Sequence, residues 1–148
     1  MSISSALHDR RYDPVDPIAS LRAATEALLE AFSDVDFDPS MAHAPTVSEA
    51  EVAALGAPVS ELAPDLVARL VIRSGTSWGG PDDLRRVVPR ALVLSADHAL
   101  PVDRSVLWEK LRGAGWPAWP NREVEAVTRF LRAEWGRLVR SEPRPAHA

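Results

Sequence analysis

The chain contains no cysteine, which removes disulfides, thiolate zinc sites, iron–sulfur clusters and a thiol nucleophile from its chemistry. It also lacks a long apolar run. Charges interrupt every hydrophobic segment, so none approaches the roughly 18–20 apolar residues of a membrane span. The opening MSISSALHDRRYDPV has neither the apolar stretch nor the charge order of a secretory signal. A soluble, cytoplasmic protein without membrane partners is expected. Lysine is nearly absent too: Lys110 stands alone against sixteen arginines, a bias that fits a GC-rich bacterial genome and carries no function.

At 148 residues the chain has the size of one domain that can bury its own core without staples. Its net charge of −4 hides an asymmetry. Residues 1–65 hold twelve acids and three bases, whereas residues 66–148 hold nine acids and fourteen bases. Either the halves neutralise each other within the fold, or each sign forms a surface.

Helical spacing dominates the pattern. Asp16 before Pro17 marks a helix start, and Ile18, Leu21, Leu28 and Phe32 give a helix over 17–32 one apolar face, opposite Arg22, Glu26 and Glu30. The segment 33–45, with two prolines and three alternating aspartates, reads as a loop. Thr46 with Glu49 has capping-box spacing ahead of Val47, Val52 and Leu55, and Gly56 supplies the stop. Pro64 opens a third helix with Leu66, Val67, Leu70 and Val71 inward. After the break Gly75–Pro81, a fourth carries Leu84, Val87, Val88, Ala91, Leu92 and Ser95 as one stripe, and Pro89 is expected to kink or divide it near Val88. Asp103 caps a fifth over 104–112, ended by Gly113-Ala114-Gly115. The sixth spans 120–140 with Val124, Val127, Leu131, Trp135 and Leu138 inward and Glu125 spaced to pair with Arg129.

No segment alternates with strand period, and no Asn-Gly or Asp-Gly hairpin signal occurs. The fold class is therefore all-α: a compact array of about six or seven helices with antiparallel neighbours, open to stacked helical pairs although no internal repeat is visible. Residues 16–140 form the domain. Residues 1–15 and 141–148 lack periodic apolar positions and are expected to be disordered tails.

Catalytic and metal patterns are missing. His8, His43, His98 and His147 have no histidine or carboxylate at helical ligand spacing. Asp34, Asp36 and Asp38 begin like a calcium loop, but Pro39 stands where glycine is needed and Pro45 where the bidentate glutamate belongs. Ser77 is not in a Gly-x-Ser-x-Gly elbow, and no phosphate-binding glycine motif occurs, so no metal and no cofactor is expected. A helix-turn-helix reading of helices three and four fails because the connection is too long and Asp82 and Asp83 would lead the recognition helix into DNA. Nucleic acid is not the expected partner.

Two residue sets remain as candidates for binding. Arg69, Arg73, Arg85, Arg86 and Arg90 fall largely on the outer faces of helices three and four, able to grip carboxylates bidentately or to pair with the acidic first half. Trp78, Trp116 and Trp119 sit in turns, where they either plug the ends of the array or anchor a partner. Trp108 and Trp135 lie on amphipathic helices, with Trp135 on the apolar stripe and assigned to the core.

Trp78-Gly79, Asp83-Leu84, Pro89-Arg90-Ala91-Leu92, Lys110-Leu111, Ala114-Gly115-Trp116, Trp119-Pro120, Glu123, Ala126-Val127, Phe130-Leu131 and Trp135 together resemble a family of small all-helical bacterial proteins with no assigned activity. The resemblance covers residues 17–140. It implies a helical fold and brings no catalytic residues.

Charge asymmetry and turn tryptophans point to a non-catalytic interaction protein such as an adaptor, immunity factor or accessory subunit, with another protein as partner. The alternatives are a small helical enzyme built from scattered carboxylates and arginines, which a deep pocket lined by acids or His98 would favour, and a weak nucleic-acid binder.

Overall fold

Six α-helices and two single 3-10 turns follow one another in the computed structural model, which describes residues 16–141. The expected tails lie outside the described residues apart from Ser141, the last residue of the final helix. Helix α1 runs Pro17–Ala31, and its cap is the expected one: Asp16 Oδ1 accepts from the Ile18 amide at 3.0 Å. Helix α2, Glu49–Ala54, is capped two residues later than the sequence reading placed it. Ser48 Oγ accepts from the Glu51 amide at 3.1 Å and Glu51 Oε1 accepts from the Ser48 amide at 2.9 Å. Val47 before the cap and Val52 in the first turn are both buried. That staple decides between two competing Ser/Thr-x-x-Glu registers.

Helix α3, Pro64–Arg73, and helix α4, Pro81–Ala96, bracket the buried Trp78. Pro89 does not divide α4. A mid-helix proline costs about 3 kcal/mol, whereas each fully buried aliphatic side chain returns about 1.5–3 kcal/mol, and α4 buries eight residues, Pro89 among them. Packing overrides propensity here. Helix α4 ends with a residue that sequence patterns rarely flag, since His98 takes the left-handed conformation (φ 58°) and lets the Ala99 amide reach Leu94 O at 2.8 Å. Helix α5, Arg104–Gly113, is capped by Asp103 and stopped by left-handed Gly115 (φ 73°). A 3-10 turn at Trp116–Ala118 then leads into α6, Asn121–Ser141.

Among the described residues there is no strand, only isolated bridges from Trp78 to His43 and Ser74. Helix α4 packs against α1, α3, α5 and the 3-10 turn Val59–Glu61, while the most extensive helix contact joins α1 to α6. Those two helices are antiparallel: Arg122 near the start of α6 reaches the Ala31 carbonyl at the end of α1, and Asp16 shares a cleft with Ala133. The first and last helices thus pair with each other.

Helix α6 departs most from its sequence reading. Its buried residues are Glu123, Ala126, Val127, Phe130 and Glu134, whereas Trp135 is 68% exposed and Leu138 38%. The buried face is rotated by about one residue, roughly 100°, from the apolar stripe. Ile18 on α1, also expected inside, is 62% exposed.

Candidate interaction surface

The arginines singled out in the sequence are engaged within the fold. Arg85 Nε and Nη2 donate to the two carboxylate oxygens of Glu123, each at 2.7 Å, and Asp82 lies 3.6 Å away. Arg86 donates to the carbonyls of Leu55 and Ala57 and lies 5.2 Å over the Phe37 ring, where burial pulls its pKa below the ordinary arginine value. Arg90 Nε donates to Leu62 O at 2.9 Å and Arg73 to Thr46 Oγ1 at 3.1 Å. Arg69 Nε is 2.8 Å from Glu51 Oε2, an ion pair without a well-directed hydrogen bond.

A common geometry explains where the basic second half of the chain goes. A helix C-terminus leaves unpaired carbonyls at its negative end, and at α1, α2, α3 and α4 a cation from a distant segment fills one. Arg122 serves α1 at Ala31 O, Arg86 serves α2 at Leu55 O, Lys110 serves α3 at Ser74 O and Arg137 serves α4 at Ala96 O. Arg90 does the same for the 3-10 turn before Leu62. Hydrogen bonds from charged donors contribute about 1.5–3 kcal/mol each. Four of these clamps tie residues 31–74 to α4, α5 and α6, and Arg137 ties α6 to the end of α4.

Two carboxylates that the sequence reading missed complete this pattern. Glu123 and Glu134 are each 3% exposed. Arg104 Nη1 donates to Glu134 Oε2 at 2.6 Å while Nη2 reaches Oε1, which repeats the fork that Arg85 makes on Glu123. These carboxylate hydrogen bonds hold both guanidinium groups above the ordinary arginine pKa. The signal was eleven residues of spacing, three helical turns, that put both glutamates on the Phe130 side of α6.

The turn tryptophans divide. Trp78 is 1% exposed with its indole N–H buried and unpartnered, so it cannot anchor a partner, and its assignment to a binding surface is corrected. Trp119 is half-buried, edge-on to Phe32 at 5.9 Å, with Nε1 donating to Ala114 O. Trp116 meets Trp108 at 6.1 Å, also edge-on. Both fasten the α5–α6 turn onto the core.

Acidic residues converge without forming a metal centre. Asp34, Asp36, Asp38, Asp82 and Asp83 line a cavity of about 410 Å³. Asp34 pairs with Arg122, and Asp38 accepts twice from Ser40, which lowers its pKa. Asp83 accepts from the Gly80 amide at 2.8 Å, its pKa raised by burial. Among the described residues no group of three ligands is placed to hold a metal ion. Gly79 (φ 68°) belongs to this turn: a Cβ there would come within 2.8 Å of Asp83 Oδ2. A second cavity of about 410 Å³, between Phe32, Phe37, Arg86 and Pro89, has its cation spent on the Leu55 carbonyl.

The opposite end of the α1–α6 pair is different in kind. Trp135 (68% exposed), Val139 (54%) and Leu138 (38%) follow one flank of α6, and Ile18 (62%) lies across from Leu138 on a cavity of about 630 Å³. Pro17, Ala96, His98 and Arg137 also line that cavity. Soluble domains seldom leave several large apolar side chains together on their surface.

No family model, curated protein or solved structure matches the chain. The chemistry of this surface therefore rests on its own geometry. His98 is exposed on the rim; its amide donates to Ser95 O, and its ring makes no hydrogen bond among the described residues. Asp16 is occupied by the Ile18 amide, and Asp97 faces Arg137 at 3.7 Å. Among the described residues lining this recess, no carboxylate is hydrogen-bonded to the His98 ring. The surface can offer apolar contact and an anchoring recess.

Proposed function

We propose that this protein is a non-catalytic interaction module, an adaptor, immunity factor or accessory subunit of a bacterial cytoplasm, whose docking surface is the apolar end of the α1–α6 pair. The supporting observation is Trp135, 68% exposed on a helix whose other large aromatic, Phe130, is fully buried. An exposed tryptophan beside Leu138, Val139 and a recess has the composition of an interface anchor. The arginines of α3 and α4, the earlier candidates, are occupied by the fold's own carboxylates and carbonyls. Replacing Trp135 and Leu138 together by serine is expected to abolish capture of a partner from the native host while leaving the helical circular-dichroism spectrum intact. Capture that persists in the folded variant would overturn the proposal.

A further inference from the structure

We infer that the occupant of this surface is an acidic amphipathic helix presented by a partner protein; the inference rests on the interaction-module reading and adds the partner's chemistry. Leu131, Trp135, Leu138 and Val139 run along about 12 Å of α6, the length over which a docking helix sets apolar residues at i, i+3 or i+4, and i+7. The recess of about 630 Å³ between Ile18, Ala96 and Leu138 lies at the end of that stripe, where one anchor side chain can enter.

The charge around the stripe selects the partner. Arg132 is within one turn of Trp135, Arg129 lies one turn further back, and both are exposed with no ion pair among the described residues. Arg22 on α1 is exposed, has no ion pair among the described residues, and lines a neighbouring cavity that shares Ile18, Ala96 and Arg137 with the recess. Of the nearby acids, Asp16 caps α1, Asp97 faces Arg137 and Glu134 is buried against Arg104. Glu125 is exposed but nearly three turns from Trp135. Glu26 is exposed one turn beyond Arg22 on α1, and Glu30, Glu49, Glu61 and Asp65 are exposed farther from this end, where they disfavour a negatively charged helix.

The test is selection of a displayed library of helical peptides, random in sequence, on the intact chain, with counter-selection on the Trp135→Ser, Leu138→Ser variant. Selected peptides are expected to carry net negative charge with apolar residues at helical spacing. A synthesised representative should lose about tenfold or more in affinity against Arg129→Gln, Arg132→Gln, and weaken as salt rises. Patch-dependent peptides that are neutral or basic would overturn the acidic-helix inference and leave the interaction module standing. Absence of any peptide that depends on Trp135 and Leu138 would overturn both. Sedimentation showing mass that grows with concentration, and that the Trp135→Ser, Leu138→Ser variant abolishes, would make a second copy the occupant and also overturn the inference.

Discussion

Replacing Arg85 by methionine removes the partner of a carboxylate that has nowhere else to go. The Glu123 side chain is 4% exposed and that of Arg85 23%, and two 2.7 Å hydrogen bonds join them. Stranding one charge of such a pair costs about 3–5 kcal/mol, while replacing both members by apolar residues of similar volume is neutral or stabilises by about 1–4 kcal/mol. Arg85→Met alone should therefore remove a large fraction of the 5–15 kcal/mol typical of a domain, and Arg85→Met with Glu123→Leu should restore wild-type stability or exceed it. Urea unfolding at neutral pH, followed by far-UV circular dichroism, measures both. The arginine side of the pair carries no pH dependence in that range. Its pKa is raised above the ordinary arginine value by the Glu123 hydrogen bonds, so the stability contributed by the charged guanidinium is complete below that ordinary value and is lost only as pH rises through the higher, folded one. A single substitution costing less than about 1 kcal/mol, or a double variant no more stable than the sum of its singles, would refute the argument that Glu123 is held by this fork.

Two further outcomes follow from the helix ends and the rotated α6. Ser48→Ala should cost about 1 kcal/mol, whereas Glu51→Gln should flatten the acid limb of stability. Glu51 has its pKa lowered chiefly by the Ser48 amide, so its contribution is present above 4.5 and disappears as pH falls through the lower folded value; an unchanged slope between about pH 5 and 3 would contradict this. Trp135→Ala should change stability by no more than about 0.5 kcal/mol, against about 3–5 kcal/mol for Phe130→Ala; equal losses in denaturant unfolding would put Trp135 back in the core.

Helix number, order and most boundaries were legible because caps and stops are local chemistry. Asp16-Pro17, Pro64, Asp103 and Gly115 act on the next few amides or carbonyls, and each stands where the sequence placed it. What was illegible was nonlocal. Trp135 was assigned inside because the stripe through Val124 and Leu131 is the more apolar one; the fold buries the flank carrying Glu123 and Glu134 because Arg85 and Arg104, 38 and 30 residues earlier, neutralise them. The arginine set failed as a surface for a related reason. Its partners are backbone carbonyls at helix ends, such as Leu55 O and Leu62 O, and a carbonyl has no signature in the sequence. The expected Glu125–Arg129 pair is not formed among the described residues, and Arg129 is left available at the α1–α6 end.

The central claim is that Arg86, Arg90, Lys110, Arg122 and Arg137 hold the ends of helices and turns while Arg85 and Arg104 hold buried glutamates, which leaves the apolar end of α1 and α6 as the surface for a partner. Urea unfolding of the Arg86→Gln, Arg90→Gln variant tests it most directly, since these two guanidinium groups hold the carbonyls of Leu55, Ala57 and Leu62 on α4. At about 1.5–3 kcal/mol for each charged donor, the account predicts a loss of about 3–6 kcal/mol. A loss below about 1 kcal/mol, with the helical spectrum unchanged, would show that these arginines are a surface after all.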